Sequence, residues 1–99
     1  MSTMFTVVAI FRARAGQEAP LHASLVAMLE PSRREAGCLN YDLLRSNDDP
    51  ALFFFHETWR SAAHHRAHLE MPHVQHLLAV SPEMLREPIQ ELKGQRIES

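Results

Sequence analysis

Cys38–Trp59 reads CLNYDLLRSNDDPALFFFHETW. Two runs of strand-forming residues flank a polar cluster, Ser46-Asn47-Asp48-Asp49-Pro50. Asn, Asp and Ser bond their own backbone and Pro presets φ, so the cluster is a turn. Cys38–Arg45 and Ala51–Trp59 are therefore predicted as the strands of an antiparallel hairpin. In the first strand, Leu39, Tyr41 and Leu43 alternate with Cys38, Asn40, Asp42 and Leu44, and each set is assigned one face. In the second, Phe53-Phe54-Phe55 puts aromatic rings on both faces, so both faces need cover.

Working outward, Met4–Ala13 (MFTVVAIFRA) is apolar almost throughout and reads as another strand covered on both sides. Gly16 breaks it. Gln17–Ala36 is predicted helical, because Leu21, Leu25, Met28 and Leu29 recur on one face. Pro20 fits the first turn, while Pro31 should kink the helix by removing a bond to the Ala27 carbonyl. Gly37 follows as the C-terminal cap. Beyond the hairpin, Ser61 is the expected N-cap of a helix over Ala62–Glu70. Pro72 breaks or restarts it, and His73–Val80 continues with Val74, Leu77 and Leu78 apolar. Ser81-Pro82 opens a short helical turn. Pro88 stops it, and Ile89–Ile97 is a weaker last strand, with a bulge expected near Gly94.

The order is β-α-β-β-α-β. That is the α+β, ferredoxin-like plan: a four-stranded antiparallel sheet with helices on one face. Helices on one face leave the other bare, yet two strands are apolar on both sides. A second copy of the same sheet is the simplest cover, and a homodimer through the sheet faces is expected.

The chain has 99 residues, 45% of them apolar, which is one domain over 1–99 and excludes a two-domain enzyme. At this size only roughly 65% of the unfolded surface is buried, which again points to self-association. The formal charge of −2 and the lack of a basic stripe argue against nucleic acid and anionic membranes as partners. One cysteine, Cys38, permits no intrachain disulfide, which favours a reducing compartment. Met1–Thr3 shows no basic leader, and no run reaches the ~20 apolar residues of a membrane span, so a cytoplasmic protein is expected. The unusual count is histidine: 7 in all, with His64, His65, His68, His73 and His76 in one short stretch.

Gly37-Cys38, Tyr41, Glu57, Trp59, Ala63, His68, Pro72 and His73 together form a pattern. The chain thereby resembles the antibiotic biosynthesis monooxygenase (ABM) family of dimeric α+β barrels, and the Trp59, His68 and His73 spacing resembles its quinol-monooxygenase-like branch. The resemblance covers nearly the whole chain in element order. It implies a ferredoxin-like dimer with a pocket in each subunit between sheet and helices. Some members oxidise phenols, anthrones or hydroquinones with molecular oxygen and no cofactor. Others degrade haem, act on small signalling metabolites, or have no known activity.

Such oxidation needs a base, groups to hold an anion, and a dry cavity, because an electron-rich anion must first pass one electron to ground-state oxygen. His68 is the candidate base, since imidazole titrates near neutrality; otherwise it packs as a half-buried helix residue. His73 is either a second polar group at the pocket or a hydrogen bond that fastens the helix break. Trp59 either stacks on a planar substrate or fills the core, and Tyr41 carries the same choice. Asn40, on the opposite strand face from Tyr41, either holds a substrate oxygen or is an outward amide. Glu57 shares a face with Phe53, Phe55 and Trp59, so it must be paired or protonated. It either orients a histidine or pairs with an arginine such as Arg45 or Arg60, a structural role, or takes part at the substrate site. His64, His65 and His76 are expected at solvated helix positions, His22 on the first helix, and His56 at the dimer interface.

Two rival chemistries are weaker. His64 or His65 with His68 has metal-chelating spacing, but HExxH is absent and no cysteine joins the cluster, so no metal is assigned. The haem-degrading branch uses an asparagine on the first strand, and Met4–Phe11 has none. The expected function is a cofactor-independent oxidation of a small electron-rich aromatic by molecular oxygen. A non-catalytic dimeric ligand-binding domain is the alternative.

Overall fold

The structure, a computed structural model, describes residues 4–97; Met1–Thr3 lie outside the described residues. Strand β1 is Phe5–Arg12, followed by helices α1 (Glu18–Val26) and α2 (Leu29–Arg33). Strands β2 (Cys38–Arg45) and β3 (Leu52–Trp59) form the hairpin. Helices α3 (Ala62–Leu69) and α4 (Pro72–Val80), a 3-10 turn over Ser81–Met84, and strand β4 (Gln90–Gly94) complete the chain. The antiparallel sheet has the order β2-β3-β1-β4, the ferredoxin-like arrangement.

Local chemistry sets most of these boundaries. The Ser46 hydroxyl accepts from the Asp48 and Asp49 amides at 3.1 and 3.2 Å and closes the hairpin turn. Ser61 Oγ accepts from the His64 amide at 3.3 Å and starts α3. Pro72 stands in the first turn of α4. The helix expected over Gln17–Ala36 is two helices. A turn at Ala27 and Met28, where the Met28 amide reaches Leu25 rather than a residue four back, precedes Pro31.

The sheet holds two differences from the expected pattern. A bulge interrupts β2 between Cys38 and Asn40. Cys38 therefore pairs with Trp59 and Tyr41 with Glu57, while Leu39 is 44% exposed and does not share Tyr41's buried face. The bulge expected near Gly94 is missing from the regular β1–β4 register, and β4 ends at Gly94, opposite Thr6 near the start of β1. Without further backbone to pair, the chain beyond leaves the sheet, and Ile97 is 91% exposed.

The core lies between the inner sheet face and the helices. Val7, Ala9, Phe11, Tyr41, Phe53, Phe55 and Trp59 meet Leu21, Leu25, Met28, Val74 and Leu77 there, all buried. On the outer face, register aligns Leu44 with Phe54 and Ile10, and His56 with Val8 and Leu92. Val8, Ile10 and Phe54 are only half-buried in the single chain, and Leu44 and Leu92 are exposed. No helix among the described residues is long and apolar enough to cross a membrane.

Candidate active site

The polar groups converge because helix periodicity and two turns aim them inward. His65 and His68 are three residues apart on α3, so they share a face. That face lies against the sheet, and the two residues are 2% and 3% exposed. The tail of α2 ends in Gly37, whose φ is +81°, a conformation that glycine adopts without cost. A Cβ at Gly37 would also run into the His64 imidazole, so the turn and α3 fit only with glycine there. Just before this turn, the Glu35 side chain is buried.

Glu35 is the hub. Its Oε2 lies 2.7 Å from His68 Nδ1 and 2.8 Å from His73 Nε2. Ser32 Oγ stands 3.2 Å from the same His73 nitrogen. A buried carboxylate requires such donors. A carboxylate oxygen accepts, so the ring nitrogens facing it are assigned the hydrogens. His68 is thereby assigned the Nδ1–H tautomer, which leaves Nε2 as its basic nitrogen. Burial pushes the His68 pKa below its ordinary value, against the pull of the Glu35 bond.

A second pair stands beside the first. Trp59 Nε1–H donates to Glu57 Oε1 at 2.9 Å, and the Trp59 ring packs 4.6 Å from that of His68. Burial, more than any neighbouring charge, pushes the Glu57 carboxyl up to about 7, and the Trp59 bond opposes the rise. Tyr41 is 2% exposed, with its ring 5.5 Å from His68. Burial raises its phenol far above the ordinary value, so it stays a donor.

These groups line a small inner pocket of about 60 Å³ under α3 and α4. Tyr41, Glu57, His65, His68 and Glu91 are its polar edge, and Ala9, Phe11, Phe55, Val74 and Leu77 are part of its apolar wall. A larger cleft of about 310 Å³ opens between α1 and α4, with His73 and His76 on its wall. Met28 and Leu77 line both spaces and form the partition.

The donor atoms of Glu35, His68 and His73 all lie within 4.8 Å of one another, a set of the kind that borderline metals accept. Ligands about 2.1 Å from a tetrahedral metal stand about 3.4 Å apart. The 2.7 and 2.8 Å separations at Glu35 are those of hydrogen bonds instead.

Residues 4–80 match the family model for antibiotic biosynthesis monooxygenase. The chain belongs to this family. It is 36% identical over 89 residues to a Mycobacterium tuberculosis protein named "Putative monooxygenase Rv0793", covering 90% of this chain and 87% of that one. The solved structure of Rv0793 superimposes with a TM-score of 0.92, covering 97% of each chain at 30% identity. The crystal structure of PA3566 from Pseudomonas aeruginosa does so with a TM-score of 0.92 at 33% identity, covering 99% of this chain and 98% of that one.

In this antibiotic biosynthesis monooxygenase domain, the structure brings His68, Tyr41 and Glu57 to one pocket, with Trp59 directly behind. Trp59 is fully buried, and its indole N–H is taken by Glu57. His73 faces the outer cleft and fastens the start of α4 to Glu35. Asn40 lies away from the pocket; its amide contacts His56 Nδ1 and donates to the His56 carbonyl, both at 3.0 Å. Glu57 pairs with neither Arg45 nor Arg60: Arg45 stacks over the Phe53 ring at 4.6 Å, and Trp59 is the Glu57 partner. His76 is exposed, as expected, and so are His22 and, within the single chain, His56. His65 corrects the expectation of a solvated position, because α3 is rotated so that both His65 and His68 face the sheet. His64 is half-buried, with Nδ1 2.8 Å from Ser61 Oγ. Glu35 was missed, since a charged residue near a helix end normally reads as solvated. Only the Gly37 that follows it hinted at a tight turn.

Proposed function

We propose that this chain is a cofactor-independent monooxygenase that oxidises a small electron-rich aromatic of phenol, hydroquinone or anthrone type with molecular oxygen. The observation that carries the reading is the buried His68–Glu35 pair at the wall of the inner pocket. His68 Nε2 accepts the acidic proton of the substrate, and Glu35 orients the ring and stabilises the imidazolium that forms. The neutral Tyr41 phenol donates to the developing oxyanion. The anion passes one electron to oxygen, and the resulting radical and superoxide combine as a substrate peroxide. His68 returns its proton to the outer peroxide oxygen. The remaining hydrogen on the same carbon is then lost as a proton while the O–O bond breaks. One oxygen atom thus stays on the substrate as a carbonyl, and the expelled hydroxide takes that proton and leaves as water. The substrate supplies both electrons. His73 and Trp59 are positioning residues, acting through Glu35 and Glu57.

An engineered cavity of about 150 Å³ is known to admit benzene, so a pocket of about 60 Å³ must open to take an aromatic ring. Met28 is the flexible part of the partition to the outer cleft, and its side chain swings at low cost. The reading also carries a homodimer in the cytoplasm, in which the outer faces bearing Val8, Ile10, Phe54 and Leu92 pack on each other. That face would otherwise expose a contiguous apolar patch.

The test is oxygen uptake by the purified protein with a panel of hydroquinones and anthrones. His68→Ala should lower the turnover rate by about 10²–10⁴-fold. Absence of uptake by the unaltered protein, or unchanged uptake in His68→Ala, overturns the reading. The Phe11, Phe55 and Met28 side chains in the pocket wall favour a second reading, a dimeric binding domain without catalysis. It predicts saturable binding of the same aromatics with no oxygen consumed.

A further inference from the structure

Among the described residues, His65 Nε2 is one of two buried side-chain polar atoms that have no hydrogen-bond partner, the other being Ser81 Oγ. An unpaired buried nitrogen is costly and marks a place where a partner belongs. The His65 ring is not free to turn away. It is held between Phe5 and Trp59, with ring centroids at 5.4 and 6.2 Å. The ring also lines the inner pocket.

Across from it stands Glu91 on β4. Its register partner is the buried Ala9, so its side chain rises from the inner sheet face. Glu91 Oε2 lies 3.8 Å from His65 Nε2, beyond a direct hydrogen bond but close enough for one oxygen atom to bond both from the apex between them. Lys93 Nζ, 3.5 Å from Glu91 Oε1, attends the other carboxylate oxygen.

We propose that His65 and Glu91 form a hydroxyl-binding subsite at the β4 end of the inner pocket, which holds an un-ionised substrate hydroxyl while another part of the molecule reacts at His68. The proposal rests on the inner pocket being the substrate site. The pair selects the chemistry. A hydroxyl accepts from imidazole N–H and donates to the carboxylate in the same position. A carbonyl would leave Glu91 without a donor, and an oxyanion would be repelled by it. Burial pushes the His65 pKa below its ordinary value, against the pull of Glu91, which favours the neutral imidazole and suits a neutral ligand group. The apolar wall beside the pair, Phe11, Phe55 and Ile89, fits the ring that carries the hydroxyl.

The experiment is an anaerobic titration of the full chain, followed by the imidazole ¹⁵N resonances, with hydroquinone and with its dimethyl ether. Hydroquinone should shift the His65 Nε2 signal and bind at least tenfold more tightly than the ether. Glu91→Gln and His65→Leu should each weaken hydroquinone binding about tenfold and so remove most of its preference over the ether. His65→Gln, which keeps a donor, should retain most of the affinity. Equal binding of the two probes, a silent His65 signal, or no binding of hydroquinone overturns the subsite; a water that stays between His65 and Glu91 would give the silent signal. The two readings fail separately. Hydroquinone binding that depends on His65 without oxygen uptake removes the oxygenase and leaves the subsite. Uptake that is insensitive to His65 and Glu91 removes the subsite and leaves the oxygenase.

Discussion

Glu35 Oε2 lies 2.7 Å from His68 Nδ1, across a sequence separation of 33 residues, with both side chains almost wholly buried. The carboxylate holds the imidazole in one orientation and one tautomer, and so leaves Nε2 as the basic nitrogen. Glu35→Gln keeps the shape of the pair but loses the charge that stabilises imidazolium. It should lower the turnover rate by about 10-fold to 10³-fold, less than loss of the base itself. Steady-state oxygen uptake checks this. An unaltered rate in a folded Glu35→Gln protein would separate the pair from catalysis.

The pH profile carries a sign. As the proposed base, His68 must be unprotonated to act, and burial holds its pKa below the ordinary 6.5. Activity should rise with pH through a midpoint below 6.5 and stay level to neutrality. In Glu35→Gln the midpoint should fall further, because the Glu35 bond is what raises it. A wild-type midpoint above 6.5 would contradict this.

Glu57 makes stability depend on pH in the opposite sense to most carboxylates. Its folded-state value is about 7, against an ordinary 4.5. Between those values the folded chain binds more protons than the unfolded one, so stability falls as pH rises through that window. The loss is on the order of 3 kcal/mol once the pH exceeds 7. Glu57→Gln, neutral throughout, should remove this fall, leave the opposite slope that the buried His65 and His68 contribute below pH 6.5, and be the more stable protein at pH ~8. Urea unfolding at the two ends of the window measures it.

Trp59→Phe removes the donor to Glu57 Oε1 and leaves a gap in a fully buried position. A destabilisation of about 1–3 kcal/mol is expected from the unpaired carboxyl, with a further rise in the Glu57 pKa. Circular dichroism is the suitable probe, since Trp59 is the only tryptophan.

Phe54 stands in the middle of the outer sheet face, paired in register with Ile10 and Leu44. Phe54→Lys should convert a dimer into a monomer at micromolar concentration, because a charge cannot be buried unpaired between two sheets. Sedimentation velocity decides it. A wild-type monomer would remove the need for a covering partner.

Treatment with a strong chelator followed by desalting should leave oxygen uptake unchanged. Activity that is lost and then restored by a transition metal would assign Glu35, His68 and His73 as ligands instead of a hydrogen-bonded set.

Features that depend on neighbours in the chain are legible in the residues alone. Alternation around Ser46–Pro50 makes the hairpin, Ser61 caps α3, Pro72 restarts the helix as α4, and the β-α-β-β-α-β order yields the ferredoxin-like sheet. Family resemblance added His68 as a site residue. Features that depend on distant partners emerge only when the chain packs. The Leu39 bulge reassigns a strand face, and nothing in the local alternation announces it. The rotation of α3 puts His65 indoors with His68, a choice that a helix rich in polar residues leaves open until it docks. Glu35 becomes a partner of two histidines because the Gly37 turn and the Pro72 restart bring α2 and α4 together. Periodicity reports which side of an element is apolar. It carries no record of which polar group, three dozen residues away, will satisfy the few that are buried.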